Sequence, residues 1–121
     1  MKKINQNYTI KGIVLPGMGR SNETGARTAN LEVSLAKKMV RGLYSCKIKI
    51  QKKDRQGLLY FGYNSLSKKD CLEVHILNFS QDIYGQEITV ITEKYIRPEK
   101  KFKNVAELKK QIALDLSAAK L

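Results

Sequence analysis

The chain has 121 residues, 42% of them hydrophobic and 28% charged, with two prolines. That length gives one domain able to bury about two-thirds of its unfolded surface, and the composition excludes both a disordered chain and a multidomain one. Twenty-three Lys and Arg against 11 Asp and Glu leave a net charge of +12, an excess that asks for a polyanionic partner, a phosphate-bearing ligand or solubility alone.

The start, Met1-Lys2-Lys3-Ile4-Asn5-Gln6-Asn7, is charged with no apolar stretch behind it. No run approaches the roughly 18 apolar residues of a membrane span, so no signal peptide or membrane helix is expected and a cytoplasmic protein follows. Tyr8 to Leu15 is a strand-forming run ended by Pro16-Gly17. A second, short strand is expected from Thr28 to Val33. Tyr44, Cys46, Ile48 and Ile50 alternate with Ser45, Lys47, Lys49 and Gln51, the period of a half-buried antiparallel strand with a basic outer face. Lys53-Asp54-Arg55-Gln56-Gly57 reads as a hairpin connection into a strand from Leu58 to Tyr63. Leu72 to Phe79 and Glu87 to Ile96 supply two more, rich in β-branched and aromatic residues. The period then changes. Asn104 followed by Glu107 resembles a capping box, and Val105, Leu108, Ile112, Leu116 and Ala119 recur at helical spacing. Closely spaced strands with glycine turns and one terminal helix predict an antiparallel barrel or sandwich over residues 1–121, and exclude a parallel α/β sheet.

Candidate chemistry lies in three places. Between the first two strands, Gly17-Met18-Gly19-Arg20 leads through Gly25 to Thr28. Such a segment lets backbone N–H groups approach a phosphate closely, and Arg20 can add charge-assisted bonds. It lacks the terminal Gly-Lys-Ser/Thr of a P-loop, and a plain surface connection would look the same. In Thr28-Ala29-Asn30, alternation sends a hydroxyl and an amide oxygen to one side of a strand, hard ligands for Mg²⁺ and phosphate. The bland alternative is a strand-start Thr with a turn-forming Asn. Glu73, inside the apolar run Leu72 to Leu77, is either solvated or held for proton transfer. Cys46, Cys71 and the sole histidine, His75, lack zinc-site spacing, so the cysteines read as reduced thiols in or near the core. The basic residues are scattered, mostly as pairs, without a glycine-aromatic RNA-binding signature, which argues against nucleic acid.

Taken in order, Gly12-Ile13-Val14, Gly17-Met18-Gly19-Arg20, Gly25, Thr28-Ala29-Asn30-Leu31, Glu73-Val74-His75-Ile76-Leu77-Asn78-Phe79, Asp82-Ile83-Tyr84-Gly85, Ile96-Arg97-Pro98-Glu99 with Phe102, and Leu108 through Gln111-Ile112 to Asp115 resemble the riboflavin kinase (flavokinase) family. The resemblance implies a six-stranded antiparallel Greek-key barrel with a C-terminal helix. It implies a cytoplasmic, monomeric kinase that moves the γ-phosphate of ATP to the riboflavin 5′-hydroxyl with Mg²⁺, giving FMN and ADP. By the same resemblance Thr28 and Asn30 bind the metal and the nucleotide phosphates, and Glu73 is the general base. Gly17, Gly19, Arg20 and Gly25 close over the phosphates, Tyr84 lies near the nucleotide, and Arg97 belongs to the riboflavin side. The chain departs from the family pattern at Arg27, where proline is usual, and over 62–70, where a Pro-Thr-Phe segment is usual. A flavin- or nucleotide-binding module without turnover, and a basic nucleic-acid-binding barrel, are the alternatives.

Overall fold

In a computed structural model the described residues are 7–16, 27–64, 68–79, 81–99 and 105–118. Among these residues six strands are present: β1 (Thr9–Ile13), β2 (Arg27–Leu31), β3 (Gly42–Ile50), β4 (Lys53–Asn64), β5 (Lys69–Ile76) and β6 (Glu87–Arg97). A 3₁₀ turn at Val33–Ala36 follows β2, and one α-helix, α1 (Val105–Ala118), follows β6. All pairings are antiparallel, in the order β1-β6-β3-β4-β5-β2. β3, β4 and β5 form a meander and β6 returns beside β3, the Greek-key arrangement that the family resemblance implies.

The sheet curls. Register shifts in the β3–β6 pairing, between Leu43 and Tyr44 and between Ser45 and Cys46, are bulges that sharpen its twist. At one end Leu15, just past β1, donates its N–H to the carbonyl of Asn30 in β2 at 2.8 Å. This isolated bridge joins the two edge strands and closes that end of a half-barrel. The concave side holds the main core, including Tyr44, Ile48, Leu59, Leu72, Val74, Ile76 and Val90. A second cluster, Leu43, Leu58, Tyr60 and Cys71 with Ile96 packed on it, lies on the convex side.

The connection between the third and fourth predicted strands differs from expectation. Residues 53–57 belong to β4, and the turn is only Gln51-Lys52, with φ of 51° and 68°. Two left-handed residues between the paired Ile50 and Lys53 form a type I′ hairpin without glycine. Gly57 serves another purpose: a Cβ there would lie 2.2 Å from the His75 carbonyl oxygen and 2.8 Å from Ile48 Cδ1. Close approach of β4 to β5, not a turn, requires that glycine. β5 begins at Lys69, ahead of the expected Leu72, and stops at Ile76, before Asn78 turns left-handed at φ 52°. Of the predicted helix, α1 is present, while the cap Asn104 and Ala119 lie outside the described residues, as do the side chains of Val105, Leu108, Ile112 and Leu116. Cys46 and Cys71 are free thiols and both are buried.

Since the crowding at Gly57 is against backbone, Gly57→Ala should destabilise the fold by about 2 kcal/mol or more. Urea unfolding checks this; an unchanged midpoint would show that the two strands are not so close.

Candidate active site

Strand register builds the site. β2 lies on β5 with Thr28 opposite His75, Ala29 opposite Val74 and Asn30 opposite Glu73. On the other side of β5, β4 sets Leu58 opposite His75, Tyr60 opposite Glu73 and Asn64 opposite Lys69. Cross-strand partners share a face, so Thr28, Asn30, Glu73, His75, Tyr60 and Asn64 all lie on the convex side. Ala29 and Val74, at 1% and 0% exposure, point into the core. The expected alternation of Thr28 and Asn30 is thus present, both half-buried, with the half-buried Glu73 directly across from Asn30.

Neighbouring polar groups hold these side chains. Asn64 Nδ2 donates to Glu73 Oε1 at 3.1 Å. Thr28 Oγ1 lies 3.1 Å from His75 Nδ1. The Cys71 thiol sits with Asn64 and Glu73, and burial together with the Glu73 charge pushes its pKa upward. His75 is buried, and desolvation lowers its pKa against the opposing pull of Glu73 and Asp115, so the ring is neutral near pH 7.

α1 is tied to the same face by charge. Arg97, at the end of β6 and opposite Leu43, grips Asp115 with Nε to Oδ1 at 2.9 Å and Nη2 to Oδ2 at 3.0 Å. Gln111, one turn earlier, adds Nε2 to Asp115 Oδ1 at 2.9 Å. Arg97 Nη1 donates to the Pro98 carbonyl at 2.9 Å. A bidentate pair with the Asp115 side chain only 3% exposed is a strong anchor.

A second arginine binds the rim. Arg41 Nε and Nη2 reach Glu99 at 2.9 and 3.1 Å, and its Nη1 and Nη2 reach Asp70 at 3.3 and 2.7 Å. The guanidinium stands 5.1 Å from the centre of the Phe61 ring, and Glu99 accepts the Tyr63 N–H at 2.9 Å. Hydrogen bonds from Arg41 hold both carboxyls below their ordinary pKa. The segment after β6 is thereby fastened to the β4–β5 hairpin that carries Asn64.

Tyr84 lies elsewhere, in the turn before β6. Its N–H donates to Asp82 Oδ1 at 3.0 Å, and its ring packs on the main core. Gly85, with φ of 80°, gives its N–H to the Val14 carbonyl at 2.8 Å, which ties this turn to the chain leaving β1. Gly17, Gly19, Arg20 and Gly25 lie outside the described residues. The described residues therefore bring together Thr28, Asn30 and Glu73, with Arg97 on the same face but engaged to α1, and set Tyr84 apart.

Five contributors were given no role of their own at the site from sequence. His75, two residues after Glu73, must share its face by the period of a strand, and that signal was available. Gln111 and Asp115 stand four apart on a helix, a spacing that meets on one face. Asn64 and Arg41 depend on the hairpin and on distant pairings that no local pattern displays.

Among the described residues no group of three or more His, Cys, Asp or Glu could cage a metal ion. The donors at Thr28 and Asn30 are a hydroxyl and an amide oxygen, partly exposed on an edge strand. They fit a hard cation that arrives with phosphate and keeps much of its water, such as Mg²⁺.

The six-stranded antiparallel half-barrel is the fold of the flavokinases. Residues 4–121 match the family model described as Flavokinase: Riboflavin kinase, and the chain belongs to that family. A bifunctional riboflavin kinase/FMN adenylyltransferase of Listeria monocytogenes is 36% identical over 114 residues, which are 89% of this chain and 36% of that protein. The chain spans 18% to 39% of the length of this and four other curated relatives. Riboflavin kinase from Trypanosoma brucei superposes with a TM-score of 0.61 at 18% identity, covering 93% of this chain and 76% of that one. A Streptococcus pneumoniae structure described as a macrolide-efflux protein superposes with a TM-score of 0.73 at 28% identity, over 93% of this chain and 38% of that one. No helix among the described residues is long and apolar enough to cross a membrane.

Two outcomes follow from the site's electrostatics. Asp115→Ala leaves Arg97 without its partner and should cost about 2–3 kcal/mol, with amide exchange rising first in α1, whereas Asp115→Asn should cost about half as much. Folding holds His75 neutral while the unfolded chain protonates it near pH 6.5, so this contribution to stability is full well above that value and is lost progressively as the pH falls below it. The urea midpoint should drop as the pH is lowered through that value in the native protein and stay flat in His75→Gln.

Proposed function

We propose that this domain is a riboflavin kinase, passing the γ-phosphate of ATP to the 5′-hydroxyl of riboflavin to form FMN and ADP. The observation that carries this reading is Glu73 directly across from Asn30, with Thr28 one alternation away, on one open face. Phosphoryl transfer requires mainly positioning and charge neutralisation, and a face that combines hard oxygen ligands with one carboxylate meets both needs. Thr28 and Asn30 hold the magnesium-bearing phosphates, where Mg²⁺ supplies neutralisation of negative charge. Glu73, held by Asn64, accepts the hydroxyl proton as the oxygen bonds to phosphorus. Arg97 serves the riboflavin side by fixing α1 against the sheet. Tyr84 and the Gly17 to Gly25 segment serve the nucleotide, with Gly17, Gly19, Arg20 and Gly25 offering N–H groups and charge to phosphate. The +12 charge suits an anionic nucleotide. The working form is a cytoplasmic monomer that needs no nucleic acid.

Incubation with riboflavin, ATP and Mg²⁺ should yield FMN. Glu73→Gln keeps the Asn64 hydrogen bond and removes the proton acceptor, so kcat should fall by about 10²–10⁴ with nucleotide and flavin affinities little changed. Asn30→Ala should weaken Mg-nucleotide binding as well as rate. Normal turnover in Glu73→Gln would make that carboxylate a bystander.

A further inference from the structure

His75 is the sole histidine of the chain, it is buried, and phosphoryl transfer as derived above makes no use of it. Its Nδ1 lies 3.1 Å from Thr28 Oγ1, and the contact is fixed by backbone register, since Thr28 and His75 are direct partners across β2 and β5. A neutral imidazole has one N–H and one bare nitrogen, and a threonine hydroxyl has one proton and two lone pairs. Which group donates therefore decides what Thr28 can offer outward. Glu73 stands two residues before His75 on the same face of β5, Asp115 is held against that face by Arg97, and carboxylates only accept. The hydroxyl is the neighbour that can give a proton, so the ring N–H is best spent toward the acids, leaving Nδ1 bare toward Thr28.

We propose that His75 is a positioning residue: its bare Nδ1 takes the Thr28 hydroxyl proton in a hydrogen bond and so turns the Thr28 lone pairs outward to a hard cation. In that state Thr28 is a cation ligand and not a donor to phosphate oxygen. The inference rests on the Mg-nucleotide site assigned to Thr28, and it sharpens that site by naming the atom Thr28 presents and the residue that makes it do so.

The lone histidine makes the test clean. In ¹⁵N NMR of the unliganded protein, His75 should be the tautomer with the proton on Nε2 and Nδ1 bare; a proton on Nδ1 overturns the proposal. Calorimetric binding of ADP provides the second readout. Asn at position 75 can place an acceptor where Nδ1 was, whereas Gln places one where Nε2 was. His75→Gln should therefore weaken MgADP binding about tenfold, a loss of one hydrogen bond's worth, and His75→Asn should stay within about threefold of the native protein. Affinity for metal-free ADP and for riboflavin should be unchanged in both. The double variant Thr28→Val with His75→Gln should bind MgADP no more weakly than Thr28→Val alone. Equal losses in the Asn and Gln variants, equal losses with and without Mg²⁺, or multiplied losses in the double variant would each reduce His75 to packing. If the native protein binds no MgADP, the nucleotide reading fails, and the tautomer still decides the Thr28–His75 polarity. If both variants fail to fold, the tautomer decides likewise.

Discussion

Asn30 opposite Glu73 and Thr28 opposite His75 are two consequences of one register, that of β2 on β5. Because side chains alternate with a period of two, a slip by one residue would bury Thr28 and Asn30 and turn Ala29 to the outside. The register is held by the concave face and by the end of the strand. Ala29, Leu31, Leu72, Val74 and Ile76 are buried on the concave side, so a slip would carry polar groups into the core and apolar ones out. The Leu15 to Asn30 bridge pins the far end of β2 to the chain leaving β1. An edge strand is ordinarily the least constrained part of a sheet; here it carries Thr28 and Asn30, and the closing bridge gives it a partner on each side.

The convex face would be an unfinished surface without α1. Its apolar patch is modest, four buried residues with Ile96 beside them, and the buried Arg97–Asp115 pair supplies a directional contact that hydrophobic burial lacks. Ion pairs of this kind contribute less net stability than their geometry suggests, because two charges leave water to form them. Their larger effect is to fix one docking position. The Arg41 bridge acts differently: its partners Asp70 and Glu99 are about half and two-fifths exposed, so water and salt weaken it. It joins segments that flank the face and leaves Thr28, Asn30 and Glu73 to be held by strand pairing.

The strands were legible because alternation and β-branched residues mark them locally, and Thr28-Ala29-Asn30 and Glu73 could be placed on strands from that alone. Their meeting could not. Opposition of Asn30 and Glu73 is a pairing across 43 positions of chain, visible beforehand only through the family resemblance. The turn at Gln51-Lys52 escaped notice since neither residue is a usual left-handed turn former, and Gly57 drew the hairpin assignment to itself while serving close strand packing. Arg97 was assigned by resemblance to the riboflavin side, and the structure adds that its guanidinium is occupied by Asp115 and Pro98. His75 was dismissed as a metal ligand, although strand period already put it beside Glu73.

We place phosphoryl transfer on the convex face between β2 and β4, outside the barrel core. A crystal structure with MgADP and riboflavin bound together tests it most directly. The account predicts the riboflavin 5′-hydroxyl at hydrogen-bonding distance from the Glu73 carboxylate, with the nucleotide phosphates and cation against Thr28 and Asn30. Ligands seated instead on the basic strand face of Lys47 and Lys49, with Glu73 in contact with neither substrate, would contradict it.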